Sequence, residues 1–339
     1  MAAAAPQVIC LGEALVDRLG PIGADPATAA PQQWEDHLGG APANVACALA
    51  RLGTPVAFVG RLGADGIGET FTALLGSRGV NLQGLQRDPT RPSRIVLVRR
   101  DAHGDRSFGG FAGDDSEGFA DQALDAAALE ACLPLLLAEA QWLQLGTIPL
   151  ASPASAEALQ LAVQLASRNG VAIALDVNWR PTFWDATAAA DAGPPPSAVA
   201  AMQPLLQQAE LIKLAAEEAQ WLFGSRDPAV IAAALPQRPA VVVTDAGAGL
   251  AWCVAGCSGS LPAFTVPVVD STGAGDAFLA GLLHQLCAAP ELLRVPAAAE
   301  LTAVMRFAAA CGALVCQTSG AIAPQPSCGA VERFLVLQD

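Results

Sequence analysis

The segment from Val268 to Gly281, VVDSTGAGDAFLAG, holds the residue types best arranged for chemistry in this chain. An apolar run that reads as a strand ends at Asp270. Gly273, Ala274 and Gly275 then turn the chain, and Phe278, Leu279, Leu282 and Leu283 recur at helical spacing. The unpaired N–H groups at such a helix start, aided by the helix dipole, hold anions. Asp276 falls in the first turn. A carboxylate there also serves as a plain cap, worth about 1 kcal/mol. Beside a turn open to a phosphate, the same carboxylate can orient an attacking hydroxyl while the amides take up transition-state charge.

Two other stretches carry suitable groups. Gly39 and Gly40 open GGAPANVA, where glycine lets a ligand approach the backbone and Asn44 offers a donor and an acceptor to sugar hydroxyls. A glycine pair is also an ordinary helix start. In LDVNWRPTFW, Asp176, Asn178 and Arg180 alternate at the end of a predicted strand, where open α/β sheets place ligands. Arg180 suits a phosphate or sugar oxygen, or a surface salt bridge.

The elements that must position these groups alternate between strand and helix. Residues 8–11, 55–59, 141–145, 171–175, 211–213 and 240–244 are short apolar runs expected as strands. Residues 44–52 and 154–168 show helical spacing between them. This rhythm predicts a doubly wound parallel sheet with helices on both faces. Residues 94–98 and 106–111, joined by the turn at 101–105, read as a hairpin placed outside the parallel sheet. Residues 20–33 read as a loop or irregular excursion, and residues 191–197 as a surface loop.

With 339 residues, of which 53% are hydrophobic and 15% charged, the chain can bury a large core. A net charge of −14 argues against nucleic-acid and anionic-membrane partners. Nine scattered Cys and three His, without a CxxC pair, argue against a disulfide framework or a structural zinc site. No GxxxxGK[ST] loop occurs, and no GxGxxG follows a first strand, which sets aside those two phosphate-binding designs. The N-terminus lacks a basic region and a long apolar run, and the other apolar runs are short or interrupted. A cytoplasmic protein without a membrane span is the expectation.

In order along the chain, GEALVD (residues 12–17), GGAPANVA (39–46), GRLGADGIG (60–68), DVNWRP (176–181) and DSTGAGDAF (270–278) resemble the ribokinase-like (PfkB) carbohydrate kinases, most closely the fructokinase branch. The resemblance spans nearly the whole chain. It implies one three-layer α/β/α kinase domain over residues 1–339, with a mostly parallel central sheet. It also implies a small β-lid from about residues 14–38 and 93–112, through which two copies would form a homodimer. The implied reaction is phosphorylation of a sugar primary hydroxyl by ATP with Mg2+, D-fructose giving fructose 6-phosphate. Ribose, 2-keto-3-deoxygluconate or a nucleoside are the alternative acceptors, and a non-catalytic sugar-binding regulatory homologue is the alternative of another class.

Carried over by position, the resemblance makes Asp276 the catalytic base and Gly273, Ala274 and Gly275 the anion hole, with Arg180 beside the phosphates. Asp17, Gly39, Gly40, Asn44, Arg100 and Asp176 become sugar-binding positions. Lys213, Glu218, Thr244, Gly249 and Gly312 fall in nucleotide-binding segments. Asp270 and Thr272, with backbone near Val315, Thr318 and Gly320, match a loop for a monovalent cation such as K+. Ala215, Ala246 and Ala309 depart from the residues usual at their positions; the first bears on a water-mediated Mg2+ contact and the last on adenine contacts.

Overall fold

The computed structural model describes residues 5–23, 33–100, 106–112 and 118–338. The six predicted apolar runs become strands of one nine-stranded sheet, to which residues 81–88, 249–254 and 257–261 add three strands that were not expected. Its strands are β1 (Val8–Leu11), β4 (Val56–Gly63), β5 (Asn81–Asp88), β8 (Trp142–Leu145), β9 (Ala172–Asp176), β10 (Leu211–Ala215), β11 (Ala240–Asp245), β12 (Gly249–Val254) and β13 (Cys257–Leu261). The order is β13-β12-β11-β10-β9-β8-β1-β4-β5. From β11 to β5 every pairing is parallel. The last two strands add an antiparallel hairpin at one edge. Ala255 and Gly256 turn that hairpin at φ 45° and 83°, the left-handed pair that a two-residue turn requires.

Period-two side-chain alternation splits the core into two layers. Val8, Cys10, Val56 and Phe58 face one side of the sheet, whereas Ile9, Leu11, Ala57 and Val59 face the other. Helices α1 (Ala41–Leu52), α2 (Gly66–Ser77), α9 (Ala274–Ala288) and α10 (Ala298–Val315) cover the first face. Helices α3 (Ala126–Leu137), α4 (Pro153–Arg168), α6 (Pro196–Leu206), α7 (Ala216–Phe223) and α8 (Pro228–Ala234) cover the second. Both faces of the strands are buried, so their near-continuous apolar character follows from position. By length and composition α10 could cross a membrane, although its sequence is interrupted by Arg306 and Gly312. Here Leu301, Met305 and Ala308 on it are buried in the first core layer.

A second, four-stranded sheet stands apart from the first. It is built from β2 (Leu15–Ile22), β3 (Glu35–Gly39), β6 (Ile95–Arg100) and β7 (Arg106–Ala112), in the order β3-β2-β6-β7. The expected hairpin is therefore present as β6 and β7, outside the parallel sheet. Its turn at residues 101–105 lies outside the described residues, as does most of the excursion predicted at 20–33. The part of that excursion up to Ile22 continues β2.

One expected strand is absent. Residues 262–270 run without strand pairing, so no strand precedes the DSTGAGD turn. Pro262 and Pro267 cannot donate to a ladder, and Val268 and Val269 are 68% and 66% exposed. The segment is anchored instead by the amides of Val269 and Asp270, which donate to the Cys316 carbonyl at 2.8 and 3.2 Å.

The two sheets meet where β1 passes through Gly12, Glu13 and Ala14 into β2, and where β3 passes through Gly40 into α1. Gly40 has φ 98°, and a Cβ there would lie 2.7 Å from the Glu13 carbonyl oxygen, so glycine is required twice over. Helix α1 is therefore held close to the end of β1. Leu49, fully buried on α1, locks that helix into the first core layer. Leu49→Ala is expected to cost about 2–5 kcal/mol of unfolding free energy, read from urea denaturation.

Candidate active site

Helix α9 begins at Ala274 after Gly273, whose φ is 79°. A Cβ on Gly273 would sit 2.6 Å from the Cβ of Ala321, so only glycine lets this turn close. No side chain caps the helix, which leaves first-turn amides available to a ligand. Asp276 stands in that turn. Its Oδ2 accepts a hydrogen bond from Asn44 Nδ2 at 2.8 Å, across 232 residues of sequence. Burial pushes the Asp276 carboxyl up to about 6, and the Asn44 donor opposes this, as do the charges of Lys213 and Arg180. The Asp176 charge adds to the rise.

Asn44 is 4% exposed, and its Oδ1 has no partner. The orphaned acceptor is oriented by two fixed neighbours: Asp276 on its own amide nitrogen, and Gln325, whose Nε2 donates to the Asn44 carbonyl at 2.9 Å. A buried acceptor without a donor costs free energy unless a ligand hydroxyl or water fills it.

Beneath the turn lies an ion pair. Lys213 Nζ meets both Asp176 oxygens at 2.9 Å, on neighbouring strands β10 and β9. Burial disfavours the ammonium, but Asp176, then Glu218, hold it, and its pKa stays above the ordinary value. A Cβ on Gly275 would lie 3.3 Å from Nζ, so the positive charge sits directly against the anion-binding turn.

The remaining expected positions are divided. Asp17 faces Gly39 across the small sheet, with a Cβ on Gly39 lying 3.1 Å from Asp17 Oδ2. Arg180, exposed, donates to the Trp179 carbonyl at 2.8 Å and is close enough for its charge to act on Asp276. Asn178, two residues earlier, takes φ 42°, which turns the chain out of the sheet. Thr244 on β11 lies opposite Ala215 of β10, and Gly249 opens β12 opposite Asp245 of β11.

Glu218 holds two backbone amides, Trp179 N at 2.6 Å and Ala215 N at 2.8 Å. It thereby ties the DVNWRP segment to the start of α7. Arg100 is drawn elsewhere: its Nε donates to the Gly20 carbonyl at 2.6 Å and its NH2 lies 3.4 Å from Glu35. It is not brought to Asp276. Gly312 is buried where α10 crosses α9, and a Cβ there would lie 2.9 Å from the Ala274 carbonyl. It is a close-packing position under the turn rather than part of the open surface.

Of the positions expected to hold a cation, Asp270, Thr272 and Gly320 are brought together. Asp270 Oδ1 accepts from Thr272 N and Oγ1 at 3.0 and 2.7 Å, and its Oδ2 accepts from Gly320 N at 2.9 Å. The Val315 carbonyl accepts from Thr318 N at 3.3 Å. Asp270, Thr272 and Gly320 line a small cavity together with Asp17 and His37. An oxygen-rich set of this kind fits a hard monovalent cation. Among the described residues no cluster of His, Cys, Asp and Glu could hold a metal by itself.

Residue reading missed the other wall of the site. Arg94, just before β6, is 4% exposed and grips Asp121 through two bonds of 2.8 and 3.0 Å. Its guanidinium lies 4.5–4.9 Å from the ring centres of Phe111, Phe119 and Phe183. Phe183 comes from a segment more than sixty residues beyond Phe111 and Phe119, so no local pattern announces the cluster. Glu13 shares this wall, and a lone carboxylate inside the apolar run VICLGEALV was the signal available for it.

The arrangement offers a base, an anion-binding turn backed by a lysine, and buried acceptors for hydroxyl groups. Comparison with known proteins agrees with this chemistry. The family described as pfkB family carbohydrate kinase matches residues 5–328. A probable chloroplastic fructokinase-6 of Arabidopsis thaliana is 32% identical over 338 residues, covering 98% of this chain and 83% of that protein. The solved fructokinase of Xylella fastidiosa with bound ATP superposes with TM-score 0.82 at 30% identity, covering 98% of each chain. The fructokinase of Vibrio cholerae O395, solved with fructose, ADP and a calcium ion, gives TM-score 0.79 at 30% identity and covers 98% of this chain and 99% of its own.

Because the folded carboxyl of Asp276 titrates near 6, above the unfolded value, the native state binds an extra proton between about pH 4 and 6. Stability is lost as pH rises through that window. Asp276→Asn removes the loss and is expected to be more stable than wild type by about 1–2 kcal/mol at pH 8, after allowing for the cleft's partial solvation. The difference should vanish below about pH 4 in thermal melts.

Proposed function

The chain belongs to the pfkB family of carbohydrate kinases and is an ATP-dependent sugar kinase; on that basis we propose that its acceptor is D-fructose, phosphorylated on the 6-hydroxyl. The observation that carries the reading is the Asn44–Asp276 hydrogen bond at the uncapped start of α9, with Lys213 under Gly275. It joins a hydroxyl-binding amide, a base and an anion cradle in one place. The fructokinases among the similar proteins support the choice of acceptor.

In this reading the sugar lies between Asp276 and the small sheet, which acts as a lid. Asp17, Gly39, Gly40, Asn44 and Asp176 surround it. Asn44 Oδ1 accepts from a sugar hydroxyl, which satisfies the orphaned atom. Asp276 accepts the proton of the primary hydroxyl as that oxygen attacks the γ-phosphate of ATP. The amides from Gly273 to Gly275 and the Arg180 guanidinium take up charge on the transferring group, and Lys213 adds a fixed positive field. ATP runs from this turn along the ends of β10, β11 and β12, past Thr244 and Gly249. Closure of the lid excludes water and so prevents idle hydrolysis.

Mg2+, when bound, would offset the negative charge of the phosphates. With no His, Cys, Asp and Glu cluster for it among the described residues, the ion would enter mainly with ATP, and Glu218 would order the backbone nearby. The Asp270 loop would hold K+ and stiffen the start of α9. Two copies would associate through their lids, which sedimentation checks directly.

The acceptor is tested by ATP-dependent turnover of fructose, ribose, glucose and 2-keto-3-deoxygluconate, each with and without K+. Fructose is expected to show the highest kcat/KM; a higher value for another sugar overturns the choice. Asp276→Asn is expected to lower kcat by about 10²–10⁴-fold in folded protein. Near wild-type turnover in that variant would remove Asp276 as the base. With the carboxyl titrating near 6, wild-type kcat/KM should fall as pH drops below that value.

A further inference from the structure

Glu13 sits in the connection between β1 of the large sheet and β2 of the small one, and it is 3% exposed. Its Oε1 accepts from Ala41 N, at the start of α1, at 3.1 Å. Its Oε2 is buried and has no hydrogen-bond partner. Glu13 helps line a cavity with Arg94, Asp121, Ile148, Ser152 and Phe183. The nearest cation in that wall, Arg94, is already committed to Asp121 through both of its short bonds. Among the described residues no salt bridge therefore compensates Glu13.

The position relates directly to the reaction centre. Ala41, which fixes one oxygen of Glu13, precedes Asn44 on the first turn of α1, and Asn44 holds Asp276. Phe183, in the cavity wall, follows Arg180 by three residues. Glu13 and Asp276 also feel one another's charge. A sugar with its reacting hydroxyl at Asp276 would thus present another hydroxyl towards Glu13.

We propose that Glu13 is a sugar-recognition residue that donates a hydrogen bond from Oε2, as an uncharged carboxylic acid, to a hydroxyl of the acceptor. The proposal rests on the sugar-kinase reading above and names a group that selects among neutral polyols. With Oε1 already accepting from a backbone amide, the proton belongs on Oε2. Burial, together with the facing carboxylates of Asp121 and Asp276, pushes the Glu13 carboxyl up to about 8, against the lowering effect of backbone amides. The acid form is then the resting form at neutral pH. A sugar hydroxyl in the cavity accepts that proton's hydrogen bond and satisfies the orphaned atom. Above pH 8 the charged carboxylate can no longer donate, and sugar affinity falls.

The test compares Glu13→Ala and Glu13→Gln with wild type by steady-state kinetics on fructose and ATP. Glutamine places an amide donor where the acid places its O–H. Glu13→Ala is expected to raise the fructose KM by about 10- to 100-fold with the ATP KM within about 3-fold. Glu13→Gln should recover most of that loss at pH 7. Between pH 7 and 9 the wild-type fructose KM should rise, and that of Glu13→Gln should stay flat. Asp276 titrates near 6 and does not contribute to that limb.

A fructose KM for Glu13→Ala within about 2-fold of wild type overturns the proposal. If the alanine variant fails to fold, the glutamine profile decides: an alkaline rise that persists in Glu13→Gln is equally fatal. Should wild type prefer another neutral sugar, fructose as acceptor is lost, and the same KM values read on that sugar still decide the role of Glu13.

Discussion

Desolvation of the Asp276 carboxylate organises this end of the molecule. A charge taken out of water must be met by donors or opposite charge, or it will be protonated. Here a single amide, Asn44, reaches it directly, while Lys213 and Arg180 act at greater range. The compensation is incomplete, and the carboxyl is left more basic than an ordinary aspartate. Fuller pairing would have produced a more stable site and a weaker base.

The same economy explains the ion pair below the turn. Lys213 is buried, which disfavours its charge, and Asp176 and Glu218 offset that cost. Paired, it supplies a fixed positive charge under Gly275 that does not compete with Asp276 for a proton. Glu218, which holds two backbone amides, keeps the DVNWRP chain in register with α7, so that Asp176 and Arg180 are presented together. Polar groups in this region are thus either fully satisfied, and structural, or left with one atom open. Two of the buried atoms left open, Asn44 Oδ1 and Glu13 Oε2, lie on residues that border the expected acceptor position.

Two sheets of different character divide the work. The large sheet is buried on both faces, and its parallel strands deliver Asp176, Lys213 and Thr244 to one edge. The small sheet hangs from two glycine-bearing connections beside Glu13 and Gly40. Such connections can absorb a change of backbone angle, which suits a lid. Arg94, clasped by Asp121 and three phenylalanines, joins β6 to segments beyond the small sheet.

Much of this was legible in the residues themselves. Short apolar runs and glycine punctuation determine the strands and helices of the large sheet, because burial on both faces demands continuous apolar character. The turn before Asp276 is equally local, since Gly273 must take a left-handed angle. Expectation failed at Val268 to Asp270, where apolar residues lie beside prolines in an exposed segment and form no strand. Arg100 binds the Gly20 carbonyl and Glu35 within the small sheet, and Gly312 packs under the turn, through contacts with neighbours far along the chain. The pairing of Asn44 with Asp276, of Lys213 with Asp176 and of Arg94 with Asp121 and its aromatic cage was decided only by tertiary structure. These contacts join segments separated by tens to hundreds of residues, and no spacing rule in one dimension encodes which partners the sheet order will bring together.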